Sequence, residues 1–356
     1  MPSHRVYLCR RNDVSHRQVS VAYIGSVVIP EKALIAKIRR LARSVKNPAI
    51  ATGIGDDTAV LQLLGGRGKE NDTLVTTDFT LEGIHFRREW HSAESVGHRC
   101  LARGLSDIAA MGGEPVAAFL SLALPRDLPQ GWVGRFARSL VTLAERYGVT
   151  LAGGDTAESP DGIPADIVVV GTVPKGKAVL RARARAGDLI YVSGELGGSA
   201  AAVWLMQKEM PRKPKRKLNP RDYPRHFFPE PRIEMGRTLR EKGLASAMID
   251  ISDGLSTDLS HICEESGVGA EIQAELIPCA SVGKPRREVD RKFALQGGED
   301  YELLFTAQPG KRVPSRIAGI PITRIGRITR SKEIILMSRS GVGYQLEPRG
   351  WEHFRR

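Results

Sequence analysis

The sequence predicts a two-domain α/β (α+β) protein. Three observations carry this. The chain has 356 residues, more than one ordinary hydrophobic core holds. Period-two and period-3.6 apolar patterns are mixed along its whole length, which calls for sheets layered with helices. The pattern resets around Pro174-Lys175-Gly176, dividing the chain into 29–174 and 175–356, with 1–28 a loose extension of little periodicity.

The elements follow in order. A helix is predicted from Pro30, with Leu34, Ile35, Ile38 and Leu41 inward and a solvated basic face of Lys37, Arg39, Arg40 and Arg43. Thr58–Leu64 and Leu74–Phe79 read as an antiparallel strand pair around the turn Gly65-Gly66-Arg67-Gly68, which brings Asp57 and Asp78 to one edge. Ser92 is placed to cap a helix that buries Val96, Leu101, Leu105 and Ile108 and stops at Gly112-Gly113. Val116–Leu124 reads as a buried strand. Val133, Phe136, Leu140, Leu143 and Tyr147 mark a second helix, ended by Gly148. Leu151-Ala152 is a short strand running into Gly153-Gly154-Asp155-Thr156, and Ile167–Val173 is another strand.

In the second half, Asp188–Ser193 reads as a strand before the turn Gly194–Ser199, which is either an anion cradle at a helix N-terminus or simply a tight turn. A basic, proline-rich loop covers Met210–Arg232 and leads into a helix over Pro231–Lys242. Ala247–Ile251 is a strand, and Ser252-Asp253-Gly254 opens a helix with Leu255, Leu259 and Ile262 inward. Glu271–Ala274, Tyr301–Thr306 and Ile322–Ile328 complete the strands.

Composition narrows the function classes. Hydrophobic residues make up 41% and charged residues 26%, as in soluble globular proteins. No apolar run approaches the ~18 residues of a membrane span, and the Arg-bearing first thirty residues lack the apolar stretch of a signal peptide. Cys9, Cys100, Cys263 and Cys279 lie far apart with no C-x-x-C pair, which argues against zinc or a disulfide framework and fits a reducing cytoplasm. The net charge of +13 is spread widely, with one dense run at Arg212–Lys217 and no RNA- or DNA-binding pattern beside it. Anionic small substrates account for it better than nucleic acid does.

The informative residues are acidic. Asp56-Asp57 after Gly53-Ile54-Gly55, Asp78 after Thr76-Thr77, Asp107 after Ser106, Asp155 after Gly153-Gly154, Asp250 and Asp253 around Ser252, and Glu299-Asp300 after Gly297-Gly298 all stand at the ends of apolar segments. Each alone reads equally as a helix cap or turn residue. Their recurrence is the pattern of hard-cation binding, because Mg²⁺ takes oxygen ligands from carboxylates and substrate phosphates. Gly171–Lys177 has the glycine and lysine frame of a P-loop but is followed by Ala178, which has no hydroxyl for a metal, and Pro174 removes a cradle N–H.

Together, Gly53–Val60, Thr76–Phe86, Leu105–Pro115, Gly153–Thr156, Ile249–Leu255 and Gly297–Leu303 resemble, in order, the motifs of the thiamine-monophosphate kinase family, within the aminoimidazole-ribonucleotide-synthetase-like ATP-binding superfamily. The similarity runs from about residue 30 to Gly350–Phe354. The resemblance implies an N-terminal mixed/antiparallel sheet domain with helices that binds ATP and Mg²⁺ and dimerises, and a C-terminal α/β sandwich domain that closes over the site. It implies several Mg²⁺ ions held by Asp57, Thr76, Thr77, Asp78, Asp107, Asp155, Asp250 and Asp253. ATP as co-substrate would meet Gly154, Asp155, Arg181 and Ser252, and thiamine monophosphate would meet His85, Glu299 and Trp351. For His85 and Trp351 the residues alone read as ordinary packing. The implied reaction makes thiamine diphosphate in a homodimer. A phosphate acceptor is mostly dianionic at neutral pH, its second pKa being about 6, so no general base and no covalent nucleophile is expected. Another enzyme of the superfamily, of the selenophosphate or purine-pathway type, is the alternative. Cys9 lacks the glycine-rich setting that a selenide enzyme would need.

Overall fold

The computed structural model describes residues 31–42, 49–62, 70–209 and 218–351. The extension 1–28, the turn Gly65–Gly68 and the basic run Arg212–Lys217 lie outside the described residues, as do the side chains of Leu34, Ile38 and Leu41.

The first half builds a six-stranded sheet from β1 (Ile50–Thr52), β2 (Ala59–Leu61), β3 (Asn71–Leu81), β4 (Glu114–Leu124), β5 (Thr150–Glu158) and β6 (Pro164–Pro174). The strand order is β1-β2-β3-β6-β4-β5. The expected β2–β3 pair is antiparallel, with Ala59 opposite Val75. Along β3 the side chains alternate: Asp72, Leu74, Thr76 and Thr80 are buried, Thr77 and Phe79 exposed. One face of this sheet therefore holds the core and the other lies open.

Three expectations change here. β4 is not a buried strand, because Phe119, 39% exposed, stands on the open face. The strand at Leu151-Ala152 is not short: β5 runs on through Gly153–Thr156 to Glu158 as an exposed edge strand, parallel to β4 with Ser121 opposite Asp155. Gly154, at φ 149°, lies so close to β4 that a Cβ would collide with the carbonyl oxygen of Leu120; glycine permits this approach instead of ending the strand. Ile35, expected inward on helix α1 (Glu31–Ala42), is 44% exposed. Arg39, expected on a solvated face of α1, is instead engaged: its Nη1 meets Glu265 Oε1 at 2.6 Å, and Lys32 Nζ meets Glu264 Oε1 at 3.5 Å.

Helix α2 (Ala93–Ala110) begins where Ser92 Oγ accepts from the Ser95 amide at 3.2 Å. It is buried on nearly every side, the mark of a helix packed between layers. Its Leu101, Leu105 and Ile108 join the sheet residues Leu74, Ile167 and Val169 and also Met235, Leu239, Met248, Leu303 and Phe305 of the second half in one core. Helix α3 (Gln130–Arg146) adds Phe136, Leu140 and Leu143 to it.

The second half supplies α4 (Gly198–Glu209), α5 (Pro224–Phe227), α6 (Ile233–Glu241), α7 (Leu255–Ser266) and α8 (Arg291–Gln296). Its strands are β7 (Leu189–Ser193), β8 (Ala247–Asp250), β9 (Gly269–Gln273), the hairpin β10 (Ser281–Val282) and β11 (Arg287–Glu288), β12 (Leu303–Ala307), β13 (Arg316–Ile317), β14 (Ile320–Thr329), β15 (Ile334–Met337) and β16 (Gly343–Gln345). The large sheet runs β16-β15-β9-β14-β7-β12-β8, with β13 paired to β14. Leu255, Leu259 and Ile262 of α7 pack on Ile190, Leu304 and Ile325 of this sheet. The shared helix α2 thus lies between the two sheets, and the polar ends of β3 and β8 meet alongside it. Among the described residues, no helix is long and apolar enough to cross a membrane.

Candidate active site

Four segments carry carboxylates to one place. Asp57 precedes β2, and the register Ala59↔Val75 sets it beside the Thr76–Asp78 stretch of β3. Asp107 projects from the last turns of α2, and Asp250 ends β8. One oxygen from each of Asp57, Asp107 and Asp250 lies within 4.8 Å of the other two. Neighbouring hydroxyls fix them: Thr76 Oγ1 donates to Asp107 Oδ2, and Ser106 Oγ donates to Asp250 Oδ2 at 2.6 Å. Arg181 forks onto Asp57, with Nη2–Oδ1 at 2.7 Å and Nε–Oδ2 at 3.1 Å, while its backbone amide donates to Asp56.

The electrostatics are those of a cation site. Burial first, and then Asp57, push Asp250 up to about 8. Burial and Asp57 likewise take Asp56 up to about 7. Burial, with Asp78 and Asp250 beside it, holds Asp107 well above the usual carboxylate range, and burial also raises Asp78. Carboxylates crowded in this way resist ionisation together, and a divalent cation among them reverses the penalty. The donor set fits Mg²⁺: it is all oxygen, carboxylates with hydroxyls behind them. A neighbouring group, Asp253, Asp258 and His261, also brings its donor atoms within 4.8 Å of one another. Asp258 Oδ2 accepts from the Asp253 and Gly254 amides at the start of α7, so it holds the Ser252–Gly254 loop.

A cavity of about 900 Å³ opens from these carboxylates. Asp78, Asp107 and Asp250 stand in its wall, together with Trp90, Trp204 and Trp351. Glu299 also lines it, in a left-handed backbone conformation at φ 65°, as does Tyr301 at φ 51°. Strain of this kind needs support from its surroundings. Here the Glu299 amide donates to Ser252 O at 2.7 Å, and Gly298 lets the two loops touch, since a Cβ there would run into that same oxygen.

Residues 55–173 match the AIR synthase related protein, N-terminal domain, and residues 185–338 the AIR synthase related protein, C-terminal domain. The thiamine-monophosphate kinase of Escherichia coli (strain K12) is 37% identical over 333 residues, covering 91% of this chain and 98% of that protein. The thiamine-monophosphate kinase of Bacillus subtilis (strain 168) is 33% identical over 320 residues, covering 88% and 96%. The chain belongs to the thiamine-monophosphate kinase family. Its fold is also that of AaThiL complexed with AMPPCP and TMP, at a TM-score of 0.77 and 32% identity, over 91% of this chain and 97% of that one.

The residues that the family resemblance singled out do not all converge. Asp57, Thr76, Asp78, Asp107, Asp250 and Arg181 gather as described, and Ser252 and Asp253 line the cavity beside them. Thr77 lines the cavity too, but from the other side of β3 to Thr76, where its hydroxyl donates to Asp166 Oδ1 at 2.7 Å. Gly154 and Asp155 are apart from the cluster. Phe79 pairs with Asp166, Asp166 with Ser121 and Ser121 with Asp155. That puts Asp155 three strands from the end of β3, roughly 14 Å away at ~4.8 Å per strand. It stands on the open face.

Trp351 lines the cavity and is 52% exposed, while its amide donates to Asp253 O at 2.9 Å. The backbone of this C-terminal segment is thereby tied to the loop that opens α7. His85 also lines the cavity and accepts from the Leu81 amide through Nδ1 at 2.9 Å. Glu299 is neutralised within the protein. Arg99 Nη2 meets it at 2.7 Å and Arg103 Nη1 at 3.5 Å. Burial works against its charge, but the two arginines outweigh that and hold it down to about 2.

Sequence reasoning missed Arg99 and Arg103. The available signal was their i, i+4 spacing with Asp107, a charged stripe on an otherwise apolar helix. It also missed His226, whose Nε2 meets His91 Nε2 at 2.9 Å and whose Nδ1 meets Ser199 Oγ at 2.9 Å in the cavity wall. Burial keeps both imidazoles neutral, with His91 down to about 3. The Gly194–Ser199 turn proves not to be an open cradle. Asp300 occupies the N-terminus of α4, accepting from the Gly197 and Ser199 amides at 2.6 and 3.3 Å.

Proposed function

We propose that this protein transfers the terminal phosphoryl group of ATP to thiamine monophosphate, forming ADP and thiamine diphosphate, with Mg²⁺ held by Asp57, Asp78, Asp107 and Asp250. The observation that carries the reading is the buried carboxylate cluster opening directly into a cavity lined by Trp351. The presence of AMPPCP, a nucleoside-triphosphate analogue, and TMP together in AaThiL supports the same pair of substrates.

The chemistry asks little of any one side chain. The acceptor oxygen belongs to a phosphomonoester, already mostly dianionic at neutral pH. The obstacle is bringing two polyanions together, each pair of unit charges 4 Å apart repelling by about 4 kcal/mol at an effective dielectric near 20. Bound Mg²⁺ supplies the neutralising charge. Asp107 and Asp250 are oriented for that task by Thr76 and Ser106, and Asp57 by Arg181. Arg181 adds a fixed positive charge at the same place, where charge shifts in the transferring group. The exposed face of Trp351 suits the cationic thiazolium ring. Transfer is direct, and no side chain is phosphorylated.

The active form in this reading is a homodimer paired through the open face of the six-stranded sheet. Ile50, Phe79 and Phe119 leave an apolar surface there, and Asp155 stands beside it. Purified protein supplied with ATP, Mg²⁺ and thiamine monophosphate should form ADP and thiamine diphosphate in equal amounts. ATP binding without either product would refute the acceptor.

A further inference from the structure

Arg103 is a half-buried cation, its side chain 16% exposed, whose hydrogen bonding is incomplete. It projects from the middle of α2 into the cavity wall, between the carboxylate cluster and Glu299. Its Nη2 is 3.4 Å from Asp78 Oδ1 and its Nη1 3.5 Å from Glu299 Oε1. Both are long for charge-assisted bonds, which run near 2.7–2.9 Å. Its Nε is buried with no hydrogen-bond partner. Neighbouring arginines are differently occupied. Arg99 contacts Glu299, His226 O and His85 O, and Arg181 forks onto Asp57. Of these three, Arg103 is the one with a buried side-chain nitrogen that lacks a partner.

A guanidinium carries five donors in a planar fork that fits phosphate oxygens, and leaving a buried donor unpaired is unfavourable. An anion seated in the cavity against Arg103 would meet its Nη nitrogens, whose contacts to Asp78 and Glu299 are long, and would have the carboxylate cluster within reach. Within the proposed reaction, one phosphate must sit at that boundary: the acceptor's, with its oxygens toward the cation site and its organic part in the cavity. We propose that Arg103 binds the phosphate of thiamine monophosphate and is the residue by which the site distinguishes phosphorylated from unphosphorylated thiamine. This rests on the proposed activity.

The alternative is that Arg103 only bridges Asp78 to Glu299 and shapes the wall. Calorimetric titration of the full-length protein in Mg²⁺ separates the two, with thiamine monophosphate and thiamine as ligands. Arg103→Gln should weaken thiamine monophosphate binding about 10- to 100-fold. Thiamine binding should stay within about twofold, and Arg103→Lys should restore part of the loss. Inorganic phosphate should compete with thiamine monophosphate on the wild-type protein and lose that effect in Arg103→Gln. Equal weakening of both ligands, or unchanged thiamine monophosphate binding, would overturn the proposal. If Arg103→Gln does not fold, Arg103→Lys carries the same comparison, and a preference for the phosphorylated ligand as strong as the wild type's would again overturn it. Wild-type protein that binds no thiamine monophosphate removes the proposed activity, and this inference with it.

Discussion

Ser106 Oγ donates to Asp250 Oδ2 at 2.6 Å, joining the central helix of the first half to a strand end of the second. Both residues are buried. The bond orients a carboxylate of the cluster, and it also ties the two halves of the chain where substrates would meet. Ser106→Ala leaves Asp250 Oδ2 short of a donor, at a cost of about 1–3 kcal/mol. We expect that loss in urea unfolding, together with a higher Mg²⁺ concentration for half-maximal turnover. A normal Mg²⁺ requirement would show that Ser106 does not position the carboxylate.

Stability should depend on pH in a particular way. Asp250 and Asp56 have folded-state pKa values raised to about 8 and about 7. The folded chain therefore holds protons that the unfolded chain releases above about pH 4, and stability falls as pH rises toward those values. Burial lowers His91, His98, His226 and His261, which act with the opposite sign. Their contribution is complete above about 6.5, the unfolded histidine value, and is lost only on acidification below it. Between about pH 6.5 and 8 the carboxylates titrate without that opposition. In EDTA the melting temperature should drop across this window, Mg²⁺ should cancel the drop, and Asp250→Asn should flatten it while abolishing turnover. A flat curve in EDTA would contradict the electrostatic account of the cluster.

Trp351 presents its ring to the cavity while its backbone is anchored on Asp253. A cation–π contact is worth about 0.5–2 kcal/mol, so Trp351→Ala should raise KM for thiamine monophosphate about 2- to 30-fold, with kcat little changed. Trp351→Phe should retain most of the affinity. Steady-state kinetics decides it, and an unaltered KM in Trp351→Ala would assign the ring no part in binding.

Phe119 and Phe79 stand 39% and 58% exposed on the open sheet face. Phe119→Glu places a charge within the surface proposed to pair two copies, so it should sediment as a monomer where the wild type sediments as a dimer. A variant that remains dimeric would locate the interface elsewhere.

Much of this architecture was legible because local patterns and tertiary packing agree. The capped helix after Ser92 and the β2–β3 pair appear where apolar spacing puts them. The full length of β5 was not legible, because glycine marks both a strand end and a close strand approach, and only the neighbouring Leu120 carbonyl decides between them. Thr76 and Thr77 could not both face the carboxylates, since adjacent strand residues point to opposite sides. Glu299 is a different case. Its acidity was plain, but its partners Arg99 and Arg103 lie about two hundred residues earlier, and no local pattern reports that pairing.

Because α2 is buried against both sheets, the core around it is shared between the two halves of the chain, while a second core lies wholly within the second half. Cutting after Pro174 would strip Met248, Leu303 and Phe305 of their cover and leave Leu105 and Ile108 facing water on the other fragment. The two halves should therefore melt in one calorimetric transition and resist separate expression. A rigid spine of this kind also restricts opening for substrate entry to loop rearrangement, since a hinge between the sheets would have to break the core itself.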